Sequence, residues 1–179
     1  MRRGPVLVGL AVVLVVVLVW AVVAIRRSPQ IPDLPDDADT SRPAGLGRVV
    51  RDGGFEFIVD KVECGTDIVG TGAASKTTSG VFCLVQLNVT NISAPARALR
   101  ASDQRAYSGP TQYVGDPQAS IYASAQTEYG VPIKPGQSAT TVVVFDIPRE
   151  SELDSLELHR SEHSTGAKVV LRPVSPAPS

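Results

Sequence analysis

The stretch FEFIVDKVEC (Phe55–Cys64) puts Phe55, Phe57 and Val59 on one face, with the two-residue period of a half-buried strand. The phase then slips, because Val62 and Cys64 are apolar on the opposite parity, and a bulge at Asp60–Lys61 reconciles the two halves. A second stretch, VFCLVQLNVTN (Val81–Asn91), sets Cys83, Val85, Leu87 and Val89 on one side and Gln86, Asn88 and Thr90 on the other. In a third, TTVVVFDIP (Thr140–Pro148), Val143, Phe145 and Ile147 face inward and Asp146 outward. Val142 and Val144 make its second face apolar too, so this strand is expected at the centre of a sheet. Shorter runs at Arg48–Arg51, Arg97–Ala101, Ala106–Tyr107, Gln112–Val114, Leu156–Leu158 and Lys168–Leu171 complete the set. Turn signals at Asp52-Gly53-Gly54, Ser108-Gly109-Pro110 and Lys134-Pro135-Gly136 punctuate them. Many short strands, regular turns and no helical period predict an all-β fold, an antiparallel β-sandwich, over residues 45–172.

Upstream, VLVGLAVVLVVVLVWAVVAI (Val6–Ile25) is an unbroken apolar run between Arg2–Arg3 and Arg26–Arg27. A helix of that length rises about 30 Å, the thickness of a bilayer's hydrocarbon core. It therefore reads as a single N-terminal transmembrane helix over residues 6–25, with residues 1–5 as a cytoplasmic stub. The alternative, a cleaved signal, has an apolar stretch of about 7–15 residues and a small-residue cleavage site. Flanking charge is nearly balanced and does not orient the helix. Cys64 and Cys83 are the only cysteines, and both fall in strands of one domain. Such a pair suits a disulfide in an oxidising compartment, the alternative being two buried thiols. The expected location is the cell membrane, single-pass, with the domain on the extracytoplasmic side. Between helix and domain, residues 26–44 form a linker rich in Pro and Asp, too polar to bury a core and stiffened by proline. Residues 173–179 (PVSPAPS) are expected to be a disordered tail.

The formal charge is −1, and no basic stripe supports nucleic-acid binding. Three motifs resemble chemistry. His159-Arg160-Ser161-Glu162-His163 is a literal H-x-x-E-H, but it follows a strand-like segment and runs into a turn, whereas zinc peptidases place it on a helix. Surface-loop histidines are the plainer reading. Gly70–Thr77 comes within one residue of a phosphate-binding loop, yet Ser75 replaces the second glycine and a strand follows where a helix is needed. It reads as a flexible loop joining the two cysteine strands. Asn88-Val89-Thr90 and Asn91-Ile92-Ser93 fit a glycosylation sequon, but Asn91 reads more simply as the end of a strand. Finally, all four tyrosines (Tyr107, Tyr113, Tyr122 and Tyr129) fall close together in sequence. They are candidates for an exposed interaction surface, with packing around a hairpin as the alternative.

The succession DGGFEFIVDKVECG, GVFCLVQLNVTNIS, SDQRAYSGPTQYVGDPQAS, IKPGQSATTVVVFDIP and LELHRSEHSTGAKVVLR resembles a telokin-like bacterial domain of unknown function. That domain is related to the secreted mycobacterial immunoprotective antigen. Its marks here are Val89–Asn91, the Asp103–Gln104 pair, the Pro135–Gly136 turn and the Phe145-Asp146-x-Pro148 strand end. The resemblance implies an immunoglobulin-like sandwich exported to the surface of actinobacteria and similar organisms, with no catalytic residues to carry over. The expected function is a non-enzymatic, membrane-anchored extracytoplasmic binding module, without metal or cofactor. Its expected partners are the membrane, through the helix, and an envelope protein or polymer. The competing reading is a metal-dependent ligand binder or hydrolase using His159, Glu162 and His163.

Overall fold

The two alternating stretches at Phe55–Cys64 and Val81–Asn91 are the first part and the last part, respectively, of two much longer strands. The structure, a computed structural model, describes residues 44–124 and 129–171. The stub at 1–5, the helix expected over 6–25, the linker 26–44 apart from Ala44, and the tail 173–179 lie outside the described residues. Among the described residues no helix is long and apolar enough to cross a membrane.

In chain order the strands are β1 (Val49–Asp52), β2 (Phe55–Thr71), β3 (Ala74–Asn91), β4 (Arg105–Ser108), β5 (Thr111–Val114), β6 (Ser138–Ile147), β7 (Ser155–Leu158) and β8 (Ala167–Val170). One helix, α1 (Pro117–Ala123), lies between β5 and β6. All strand pairings are antiparallel and form two four-stranded sheets, β1-β2-β3-β6 and β5-β4-β7-β8. This is the expected sandwich. Its core joins Phe55, Phe57, Val85, Leu87 and Phe145 of the first sheet to Ala106, Leu156, Leu158 and Val169 of the second. The rings of Phe55 and Phe57 meet edge to face, 5.7 Å between centroids.

The expected bulge is present: the register of β2 against β3 shifts between Val59 and Lys61. Cys64 stands opposite Cys83 and the two form a disulfide. Four expectations are corrected. First, β6 is the last strand of its sheet, not a central one. Its second apolar face is covered by α1, which buries Ala119 against Val69, Phe82 and Val144. Second, the near-phosphate-loop segment is no loop: β2 runs to Thr71, β3 resumes at Ala74, and only Gly72-Ala73 turn the chain. Third, Arg97–Ala101 is not a strand. Arg97 makes a single bridge to Ile133, and a short 3-10 turn begins at Ala101. Fourth, α1 is a helix at Pro117–Ala123, where no element was expected.

The β2–β3 hairpin outruns its neighbours. Strand β1 pairs β2 only as far as Ile58, and β6 pairs β3 only from Val81 onward. The disulfide sits where the hairpin leaves the sandwich, and the register breaks again between Cys64 and Ile68. A crosslink closing a loop of this length constrains the unfolded chain by about 3 kcal/mol. Reduction is accordingly expected to lower the unfolding free energy by about 3 kcal/mol, measured as the shift in urea midpoint between oxidised and reduced protein.

Candidate functional site

Helix α1 begins at Asp116-Pro117. The Asp116 carboxylate accepts the Ala119 N–H at 2.9 Å, and Pro117 occupies the first helical position, where a missing N–H costs nothing. The helix is hung from the free edge of β6. Asp116 N–H donates to the Val144 carbonyl at 2.7 Å, and the Ser120 hydroxyl accepts the Val144 N–H at 2.9 Å while donating to the Asp116 carbonyl at 2.6 Å. On the other side, the Lys76 ammonium of β3 bonds the Asp116 carboxylate. Burial alone would raise the Asp116 carboxyl, but the Ala119 N–H, Lys76 and the Gln118 N–H hold it below the ordinary value of 3.8.

Between α1 and the far end of the hairpin an open cleft of about 750 Å³ remains. Its walls are Thr66, Ile68, Val69 and Leu84 on the sheet and Ile121 and Tyr122 on the helix, and no charged side chain lines it. Gly70 makes this approach possible. A Cβ there would lie 2.9 Å from Tyr122 Cβ and 2.0 Å from the Ala74 carbonyl oxygen. Ile68 is 47% exposed and Ile121 56%, so two large apolar side chains stand at the rim. The side-chain polar groups lining the cleft are the hydroxyls of Thr66, Thr71 and Tyr122. The cleft is fitted to receive apolar side chains.

The four tyrosines do not form one surface. Tyr113 and Tyr129 pack against the main core; Tyr113 Oη meets Ser151 Oγ at 3.2 Å, and Tyr129 Oη accepts the Ala101 N–H at 3.1 Å. Tyr107 donates to Gln112 Oε1 and Glu157 Oε2, both at 3.1 Å, and burial with the Glu157 carboxylate raises its hydroxyl above 10.0. Only Tyr122 lines the cleft.

The H-x-x-E-H residues are likewise apart from any metal arrangement. Glu162 and His163 are exposed in a turn. His159 is no surface-loop residue: it is 7% exposed, with Nε2 at 2.7 Å from Glu157 Oε1 and Nδ1 at 3.0 Å from the Ser164 carbonyl. Among the described residues no group of three or more His, Cys, Asp or Glu is placed to hold a metal ion.

Two buried amides proved more consequential than either motif. Gln104 donates Nε2–H to the carbonyls of Arg100 (3.0 Å) and His159 (2.9 Å), and its Oε1 accepts the His159 N–H at 2.8 Å. Asn91 donates to the carbonyls of Pro95 and Ile133, both at 2.8 Å, so the second sequon's amide is enclosed. Asp52, at the end of β1, accepts the N–H of Arg160 (2.6 Å) and of Gly166 (3.2 Å), tying the first sheet to the β7–β8 loop. Burial would raise the Asp52 carboxyl, but the Arg160 N–H, the Ser164 hydroxyl, the Gly166 N–H and nearby His159 together hold it below 3.8. The Asp116-Pro117 pair was a legible helix start; the reach of Asp52 and Gln104 had no signal in the sequence.

Residues 44–169 match the family model described as Domain of unknown function (DUF4352), and the chain belongs to that family. Among solved structures it is similar to the yjhA protein of Bacillus subtilis, at 15% identity and TM-score 0.54, over 72% of this chain and 99% of that one. A conserved hypothetical protein from Bacillus anthracis shares 16% identity at TM-score 0.51, over 71% and 95%. MPT63, a secreted protein of Mycobacterium tuberculosis, shares 16% identity at TM-score 0.50, over 74% and 99%. At these identities the likeness is one of fold, and it agrees with the resemblance read from the strand ends. No curated protein matches the chain.

Gln104→Leu keeps the volume but orphans three buried backbone groups, so a loss of about 2–4 kcal/mol is expected in urea unfolding; a loss below about 1 kcal/mol would contradict the role given to the amide. Because the folded Asp52 carboxyl lies below 3.8, its contribution is present above that value and is lost as pH falls through the folded one. Asp52→Asn should therefore lower stability at neutral pH and flatten the acid limb of the stability profile below about pH 4, read from denaturation midpoints across pH.

Proposed function

We propose that this member of the DUF4352 family is a non-enzymatic binding module on an immunoglobulin-like sandwich, anchored by residues 6–25 with its domain on the extracytoplasmic side. The observation that carries the binding role is the uncharged cleft between α1 and the hairpin, with Ile68 and Ile121 exposed at its rim. A protein partner offering apolar side chains fits that lining better than a charged or heavily hydroxylated polymer, which would leave polar groups unpaired there. The anchor rests on the apolar run and its arginine flanks. The compartment rests on the Cys64–Cys83 disulfide and on the secreted character of MPT63, a protein of the same fold.

The test is in-cell photocrosslinking from a reactive group at position 121, compared with one at position 113, where the side chain packs inward. One dominant envelope protein captured from 121 and absent from 113 is the expected result. Its capture should also fall at least tenfold on Ile68→Glu in the crosslinking chain. Equal adducts from both positions, or capture indifferent to Ile68→Glu, would refute the assignment of the cleft.

A further inference from the structure

A disulfide exchanges when a thiolate attacks one of its two sulfurs, so in a folded chain the bond turns over only where a sulfur can be reached. The two cysteines of this molecule differ in that respect. Cys83 lies between Cys64 on β2 and Phe145 on β6 and is fully buried in the core. Cys64 is exposed, because β1 pairs with β2 only as far as Ile58 and, among the described residues, no other strand covers that side of β2. It opens onto a cavity of about 470 Å³ floored by Val81 and Leu153. Arg149 and Glu152, of opposite sign, also line this cavity, so an approaching thiolate meets no one-sided charge.

The bond also sits where the ladder beside it gives out. Thr66 pairs with Phe82 and Ile68 with Thr77, so Asp67 alone faces Thr78, Ser79, Gly80 and Val81, none of which has a register partner on β2. Beyond that gap the tip of the hairpin keeps four pairs, from Ile68–Thr77 to Thr71–Ala74, and it carries the cleft wall of Ile68, Val69 and Gly70. Val69 and the Lys76–Asp116 pair hold the tip to α1. The Cys64–Cys83 bond fixes the base from which it springs.

We infer that Cys64–Cys83 is a thiol-exchange site, attacked at Cys64 by a dithiol reductant, and that its opening slackens the cleft wall. The reductant's thiolate bonds to Cys64 Sγ; the Cys64–Cys83 bond breaks, and Cys83 leaves with the electron pair and takes up a proton. The reductant's second thiolate then attacks its own sulfur in the mixed disulfide, which closes the reductant's disulfide and releases Cys64 as a thiol. The reductant gives up two electrons, and the two protein sulfurs are reduced. Cys83 stays in the core, where a thiol packs as a small apolar side chain, so the sandwich keeps its fold while the hairpin loses its brace. The consequence for the cleft rests on the binding role proposed above; the site of exchange does not.

The test treats the folded full-length chain with reduced glutathione, quenches with acid and locates the first mixed disulfide by peptide mapping. Glutathione is expected on Cys64 in at least about tenfold excess over Cys83, at a rate that urea below the unfolding transition leaves within about twofold. Equal labelling of the two, or a rate that climbs with urea as the unfolded fraction does, would place the exchange in the unfolded chain and overturn the inference. Partner capture from position 121 is then compared between the oxidised chain and the chain reduced by a dithiol, whose fold is followed by near-ultraviolet circular dichroism. Reduction is expected to lower capture at least about tenfold with the fold kept. Equal capture in both forms, or a reduced chain that unfolds, would overturn the tie between bond and cleft. Absence of capture in both forms would instead refute the role of the cleft, and the mapping would still decide the exchange at Cys64.

Discussion

Antiparallel pairing between β2 and β3 is the constraint on which the rest of the molecule depends. The two strands, 17 and 18 residues long, outrun both of their neighbours, four-residue β1 and ten-residue β6. Their near half supplies the large apolar side chains of the core, and their far half supplies one wall of the cleft. Because side chains alternate, a slip of one residue would turn the core set of the shifted strand, Phe55 and Phe57 on β2 or Val85 and Leu87 on β3, to solvent. The Cys64–Cys83 bond forbids that slip at the point where the hairpin leaves its neighbours.

Around this hairpin, loops are held by a few buried polar groups as well as by the apolar contacts of Leu99, Ile133 and Leu153. Asn91 gathers the segments at Pro95 and Ile133, Gln104 joins the 3-10 turn to His159, and Asp52 clamps Arg160 and Gly166. Each satisfies backbone groups that burial would otherwise leave unpaired. This gives a physical reason for two of the marks on which the family resemblance rested. Asn91 at the strand end and Gln104 beside Asp103 are amides whose donors and acceptors are all in use, so a side chain of the same size without them would not serve.

The long strands were legible because a period of two survives in sequence whatever covers the strand, and the break in that period at Asp60 located the bulge. The position of β6 in its sheet was not, because an apolar second face looks the same under a helix as beside another strand. Helix α1 spans seven residues, too few to show a helical period, and its one signal, Asp116-Pro117 as a cap and first helical residue, went unread among the strands. The tyrosines misled for a related reason. Closeness along the chain across a hairpin, a loop and a helix places side chains on different faces. Of the cleft, Tyr122 was named in advance, while Ile68 and Ile121 were recognisable only once the helix was seen to lie against the hairpin. Asp52 and Gln104 act on residues more than fifty positions away, and nothing local records such a partner.

The short span of the disulfide has a consequence for the order in which the molecule is assembled. Its two cysteines are 19 residues apart, and both belong to one hairpin whose turn is Gly72-Ala73. Closing it needs nothing that comes later in the chain, and contacts between near neighbours form before those between distant ones. Once closed, the hairpin displays Val81, Val85 and Val89 as a finished template, and β6, arriving some fifty residues afterwards, has one register in which to lie. The bond thus acts as a ruler as well as a staple, setting the frame against which β6 is measured.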